Sequence, residues 1–345
     1  MCLAIIIKSS RAFELYKENI MQLKYFLECV EQRISQALAW NIDDSQYPQP
    51  QLAAAAEHLC KAQGAKRARP KLAYYFGISV DSDLDLLADV AVAAEFIHGA
   101  SLLHDDVIDD GKIRRGNPTV NVVWDNLTAV LSGDLLLSES IKGLRRCPRV
   151  IAQEALDVVS EMTRATMLES HLRGSTSLNK QQWLYIARGK TASMFRWCGR
   201  SAAFLGTSDE AAEHFGVFGD HFGIAFQMAD DLLDVQYSGS GKTPFADIKN
   251  QNPSYPILLA LERDLKFKQN LIDAWHQPSL TEDEIVSLGA QVLATGAGHD
   301  TLLEVHAQVE LALQAIEPYL DRPGCSSIAR WAQTLFERFS QMKAV

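Results

Sequence analysis

The sequence predicts an all-α chain, a large single-domain helical bundle around a deep central cavity. Apolar residues recur at steps of three and four, the period of an amphipathic helix, along almost the whole length. Prolines fall mostly between such stretches, as at Pro118, Pro148, Pro278 and Pro323. No segment alternates apolar and polar residues as a half-buried strand does. With 345 residues, 47% hydrophobic and 22% charged, the chain can bury a large core and lacks the composition of a disordered protein.

The first element is a long helix, on which Tyr16, Ile20, Leu23, Leu27, Val30, Ile34 and Leu38 form one apolar stripe. Asn41 to Pro50, with two Asp and two Pro, reads as a loop. Further helices are expected over 51–63, 69–78, 82–110, 119–141, 149–172, 179–205, 208–237, 255–275, 281–296, 298–317 and 324–342. The stretch from Val90 to Leu103 is apolar around most of its circumference, with Glu95 its only acidic residue, which predicts burial on most sides.

The net charge of −10 argues against a nucleic-acid backbone as partner, though local cations can still bind a phosphate. The six cysteines form no CxxC pair and no zinc-like spacing, so they read as reduced thiols of a cytoplasmic protein. The run Leu3 to Ile7 has no basic residue before it and is too short for a signal-peptide core. No stretch reads as long enough to span a bilayer, so membrane contact is expected to be peripheral at most.

Two acidic clusters carry the chemistry. In SLLHDDVIDD, Asp105, Asp106, Asp109 and Asp110 follow the nearly uncharged helix, and Asp105 and Asp109 share a face. In FQMADDLLDV, Asp230, Asp231 and Asp234 repeat the spacing after another mostly apolar stretch. Carboxylates this close repel unless a cation neutralises them, and hard oxygen ligands suit Mg²⁺ bridged to substrate phosphates. A single cluster is as readily a solvated helix end, but two copies on two apolar helices are not. In a bundle the two can face each other across a cavity. Basic residues accompany them: Lys66, Arg67 and Arg69 in GAKRARP, Arg114 and Arg115 in RRGNPT, Lys190 in RGKTA, and Lys242 in SGSGKTP. Arg offers a planar fork to phosphate and Lys a point charge. Arg67 reads as the weakest of these, a solvent-facing charge. GSGK lacks the spacing and preceding strand of a P-loop.

LLHDDVIDD followed by RRGNPTVN resembles the first aspartate-rich motif of the trans-isoprenyl diphosphate synthases, and FQMADDLLD resembles the second. GAKRARP is similar to that family's GGKRxRP segment, and SGDLLL to its AGDxLL segment. The likeness runs from about Gly64 to Pro256. It implies a prenyltransferase that condenses isopentenyl diphosphate with an allylic diphosphate. Asp105, Asp106, Asp109, Asp230 and Asp234 would bind Mg²⁺, three ions with substrate bound. Arg114, Lys190 and Lys242 would hold the allylic diphosphate. Lys66, Arg69, His98 and Arg115 would hold isopentenyl diphosphate, and Gln227 and Thr191 would line the reacting region. Phe226 is the nearest aromatic candidate to face an allylic cation. A homodimer is implied as well. Where the family has GKxT[LF]P, this chain reads QNPSYP, so Asn252 and Ser254 replace Lys and Thr; Phe245 stands where Gly is common, and Glu169 lacks its usual Gly neighbour.

Ala100 and Ser101, one turn before Asp105, are small where the family places a bulky floor, which implies a product of geranylgeranyl length or longer, with Phe96 as a deeper floor. Two other readings fit part of the pattern. A terpene cyclase also uses an Asp-rich helix, but would need neither the second DDxxD nor the Lys66 and Arg69 set. A non-catalytic regulatory subunit would be expected to lose acidic ligands that are intact here.

Overall fold

The computed structural model describes residues 10–39, 50–62, 66–235 and 245–341. Helices α1 (Ser10–Leu38), α2 (Pro50–Cys60), α3 (Ala68–Ser79) and α4 (Leu84–Ile108) lead into a hairpin, β1 (Ile113–Arg114) and β2 (Asn117–Pro118). After it come α5 (Val120–Val123), α6 (Asn126–Gly143), α7 (Arg149–Leu172), α8 (Lys180–Ala187), α9 (Ser193–Phe204) and α10 (Ala211–Val235). The chain closes with α11 (Ala246–Lys249), α12 (Tyr255–Arg263), α13 (Leu265–Trp275), α14 (Glu282–Ala294), α15 (Ala297–Ala315) and α16 (Pro323–Gln341). The all-α expectation holds. Residue contacts group the chain into two compact units, one of Met1–Leu156, Trp197–Phe215 and Pro318–Ile328, the other of Asp157–Arg196, Gly216–Glu317 and Ala329–Val345.

The first unit is organised by α4. Asp83 caps its start by accepting hydrogen bonds from the backbone N–H groups of Asp85 and Leu86. The helix packs most extensively against α6, and also against α3, α1 and α2. Most of its length from Leu87 to Leu103 is buried, as its all-round apolar surface requires. By length and a mean hydropathy of 1.6, α4 is apolar enough to cross a membrane, which corrects the expectation that no stretch qualifies; its apolar residues are buried in the core of this unit instead. On α1 the buried stripe is Leu23, Phe26, Val30, Ile34 and Leu38. Phe26 takes the place expected of Leu27, because its ring lies 5.2 Å from that of Tyr74.

The hairpin corrects the expectation of no strands. Arg115 and Gly116, its two loop residues, have φ of 52° and 78°. Two positive φ values make the tight turn whose twist matches paired strands. Strands of two residues carry no alternation for a sequence window to find. Three expected helices are also interrupted. The 119–141 segment breaks at Trp124, and Asp125 caps the restart through the Thr128 N–H at 2.6 Å. The 255–275 segment breaks at Asp264, whose carboxylate accepts from the N–H groups of Lys266 and Phe267. The 179–205 segment contains a π turn, Arg188–Ala192.

In the second unit α12 packs on α13, α14 and α15. Phe222, fully buried, stands at the middle of an aromatic cluster: ring centroids lie 5.1 Å from Phe195 and Trp331, 5.5 Å from Phe218 and 5.8 Å from Phe336. Phe226 joins the edge of this cluster, tilted against Phe195 at 5.6 Å, and remains partly exposed. Phe222→Ala should lower stability by about 3–5 kcal/mol, read as an earlier midpoint in chemical denaturation; a loss under about 1 kcal/mol would mean the cluster is not a core.

Candidate active site

The first acidic cluster spans the last turn of α4, which holds Asp105 and Asp106, and the residues just beyond it, Asp109 and Asp110. Asp105 is half-buried, Asp106 buried and Asp109 exposed. The C-terminal end of a helix carries negative partial charge and favours cations there, not carboxylates. Capping therefore does not account for acids at this position. Arg114, on β1, reaches back to Asp106: its Nε donates at 2.9 Å and Nη2 at 2.7 Å to Oδ1. Two residues assigned to metal and to diphosphate thus pair with each other. Gly111 N–H donates to the Asp106 carbonyl at 2.8 Å, and the Asn121 amide to the Gly111 carbonyl at 3.1 Å, which ties the hairpin to the helix end. Asp110 is held apart by Lys112, 2.5 Å away.

The second cluster occupies the end of α10. Asp230 is exposed. Asp231 is buried, and three donors converge on it: Trp183 Nε1 at 3.1 Å, the Tyr255 N–H at 2.9 Å and Gln227 Nε2 at 2.9 Å. Gln227 in turn accepts from the Thr191 hydroxyl at 2.7 Å. Gln227 and Thr191, assigned together by resemblance, are therefore one hydrogen-bonded relay ending on Asp231. Burial pushes the Asp231 carboxyl up to about 7, aided by the charge of Asp230 and opposed by the three donors. Asp234 caps α11, accepting from the N–H groups of Ala246 and Asp247 at 2.9 Å each. Asp247 is itself raised well above the carboxylate range, by burial and then by the charges of Asp234 and Asp231.

The residues that depart from the family pattern sit beside these acids. The Asn252 amide donates to Asp247 Oδ1 at 3.1 Å, so a neutral group stands where a lysine would neutralise the carboxylates. Phe245 adopts the left-handed conformation (φ 56°) that makes glycine common there; its buried ring lies against Gly289.

Lys190 sits on the π turn. Its neighbour Gly189 approaches α7 so closely that a Cβ would lie 2.5 Å from the Cβ of Ala165 and 2.9 Å from the Glu161 carbonyl oxygen. That approach and the wide turn set where Lys190 emerges. Its ammonium is paired with Glu169, a residue to which the sequence assigned no role. Glu169, Lys190, Gln227, Asp231, Asn252 and Ser254 line one recess of the second unit. Trp183, also in its wall, carried no sequence signal, because its role is a single indole N–H aimed at Asp231.

In the first unit, His98 stands among cations. Burial and then the charges of Arg69, Arg115, Arg114 and Arg67 hold its imidazole well below the usual range. Arg69 and Arg115 share the field of Glu95, the buried acid of α4. Lys66 is exposed. Arg67 is not the solvent-facing charge expected: it is paired with Glu31 and Glu95. Phe96 and Ala100 are buried, and Ser101 is half-buried with its hydroxyl donating to the His98 carbonyl at 2.9 Å. Lys242 lies outside the described residues.

Among the described residues no three His, Cys, Asp or Glu side chains converge enough to hold a metal by themselves. Carboxylate oxygens are the hard donors Mg²⁺ takes, one or two at a time with water and substrate phosphate completing its shell. Asp105, Asp109 and Asp230 are carboxylates that would hold such an ion.

The Polyprenyl synthetase family pattern matches residues 49–291. A "Prenyl transferase" of Synechocystis sp. is 35% identical over 221 residues, 62% of this chain and 68% of that protein. An "All-trans-nonaprenyl-diphosphate synthase (geranyl-diphosphate specific)" of Rhodobacter capsulatus is 30% identical, over 76% of this chain and 81% of that one. The fold matches that of the polyprenyl synthase from Caulobacter crescentus CB15 complexed with calcium and isoprenyl diphosphate, with a TM-score of 0.84 and 24% identity, over 93% of this chain and 97% of that one.

A carboxyl with a raised folded-state pKa is protonated in the fold while ionised in the unfolded chain. The stability it contributes is present at low pH and lost as pH rises through the folded value. For Asp231 the window runs from the ordinary carboxylate range up to about 7. In metal-free buffer the melting temperature should therefore fall between about pH 4 and pH 7. Asp231→Asn should flatten that fall, and an unaltered slope would show that Asp231 does not titrate there.

Proposed function

This chain belongs to the polyprenyl synthetase family and is a prenyltransferase, and we propose that it condenses isopentenyl diphosphate with an allylic prenyl diphosphate, head to tail, in a Mg²⁺-dependent reaction. The observation that carries this reading is the repeat of one acidic pattern at the C-terminal ends of two helices, α4 and α10, where helix dipoles disfavour carboxylates and cations relieve them. When bound, Mg²⁺ supplies charge neutralisation to the departing diphosphate.

The protein's own groups do the rest. Arg114 in the first unit and Lys190 in the second are each a cation able to neutralise a diphosphate as its bond to the allylic C1 breaks and it takes the electron pair. Each is held by an acid, Asp106 and Glu169, that fixes where its charge stands. Lys66, Arg69 and Arg115 hold isopentenyl diphosphate, whose double bond supplies the pair for the new C–C bond. The proton released from C2 passes to the departed diphosphate, since no side chain here stands out as a base. The Thr191–Gln227–Asp231 relay keeps a polar wall fixed at the reacting region. Water must be excluded while the cation exists, which apolar walls accomplish. Ala100 and Ser101 are small, and Phe96 lies a turn deeper, which supports a product of geranylgeranyl length or longer.

We place the chain in the cytoplasm, and we assign it a second copy as partner. Val122, Val123, Leu127, Val130 and Leu131 leave an exposed apolar stripe on α5 and α6 of the first unit. Light scattering should give twice the mass of one chain, and Leu127→Asp should give one; a monomeric wild type would remove the homodimer.

Purified protein incubated with isopentenyl diphosphate and farnesyl diphosphate should give a Mg²⁺-dependent ladder of longer prenyl diphosphates by mass analysis. Asp105→Ala should slow it by about a hundredfold or more. Hydrocarbons instead of a ladder would indicate a cyclase. No turnover with farnesyl, geranyl or dimethylallyl starters would indicate a regulatory subunit.

A further inference from the structure

Arg67 precedes α3 with φ 48° and ψ 42°, the left-handed conformation that a residue with a Cβ enters only when something holds it there. Three elements hold it. Nε and Nη2 donate to the two carboxylate oxygens of Glu31 on α1, at 2.6 and 2.9 Å. Nη2 also donates to the Cys60 carbonyl at the end of α2, at 2.9 Å. Nη1 donates to Glu95 on α4. The Arg67 and Glu95 side chains are 10% and 8% exposed, so this fork is spent inside the protein. Two glutamates more than offset its single positive charge. What remains of the local positive field belongs to its neighbours Lys66 and Arg69, and to Arg115.

Glu95 thereby acquires a purpose. It is the one acid in the apolar stretch of α4 from Val90 to Leu103, and it is buried. A buried carboxylate needs a partner, and Arg67 is one. A planar fork bound on two edges by different helices fixes both position and direction, which a lysine ammonium cannot do.

We propose that Arg67 is a positioning residue and not a phosphate ligand: gripped by Glu31 and Glu95, it fixes the left-handed turn that presents Lys66 and Arg69 to the diphosphate of isopentenyl diphosphate. The identity of that ligand rests on the function proposed above; the positioning of an anion site does not.

The test uses Arg67→Lys, which keeps the charge and loses the fork, and Glu31→Gln, which loosens the grip from the more exposed side. Binding of inorganic diphosphate in Mg²⁺-free buffer is measured by calorimetry. KM is then measured separately for isopentenyl diphosphate and for farnesyl diphosphate. Arg67→Lys should weaken diphosphate binding and raise KM for isopentenyl diphosphate by roughly tenfold, and Glu31→Gln by roughly threefold, with KM for farnesyl diphosphate and kcat changed by less than about twofold. If Arg67 were itself a ligand restrained by the glutamates, Glu31→Gln would tighten diphosphate binding, which overturns the proposal. Unchanged affinity in both variants, or equal losses for the two substrates, also overturns it. A wild type that elongates nothing, while both variants lose diphosphate affinity, would leave the positioning role standing and remove the elongation reading.

Discussion

Carboxylates at the C-terminal end of a helix are repelled by the helix dipole and by one another, and both acidic clusters of this chain stand there. Much of the local architecture answers that repulsion. Arg114 is brought back by a two-residue hairpin turn to lie on Asp106. Asp231 receives three donors from α8, α10 and the start of α12. Asp234 is taken up by the first N–H groups of α11, where the opposite end of a helix welcomes an anion. Asp109 and Asp230 are exposed, and Asp105 is half-buried.

The same economy governs the cations. Arg67 is compensated by Glu31 and Glu95, and Lys190 by Glu169. In each case the acid comes from another element of the same unit, so the pair records how helices pack and not merely which charges are present. Breaking one member would leave a partly buried charge without its counterion, which is costlier than the pair is stabilising.

The departures from the family pattern have physical consequences. Phe245 keeps the left-handed backbone that a glycine would adopt without strain, and its ring fills space over Gly289. Asn252 gives Asp247 a hydrogen bond where a lysine would give a charge. Burial, and then the charges of Asp234 and Asp231, hold the Asp247 carboxyl well above its ordinary range, and the Asn252 hydrogen bond only opposes that rise.

The helical class, nearly every helix and both acidic clusters were legible in the sequence, because a period of 3.6 and an i, i+4 spacing are local properties of the chain. The breaks at Trp124 and Asp264, the π turn and the hairpin were not, since each spans fewer residues than a periodic pattern needs. The motifs named Asp231, Gln227 and Thr191 without revealing that they are one relay, and they named Lys190 without Glu169. Arg67 was misread as a surface charge, because its partners lie 36 and 28 positions away. The sequence by itself determined which residue types stand on which helices, since side-chain period and spacing are written in order along the chain. Which charges are spent on one another and which remain for a ligand was decided only by the tertiary structure, because ion pairing depends on distances between elements that sequence order does not contain.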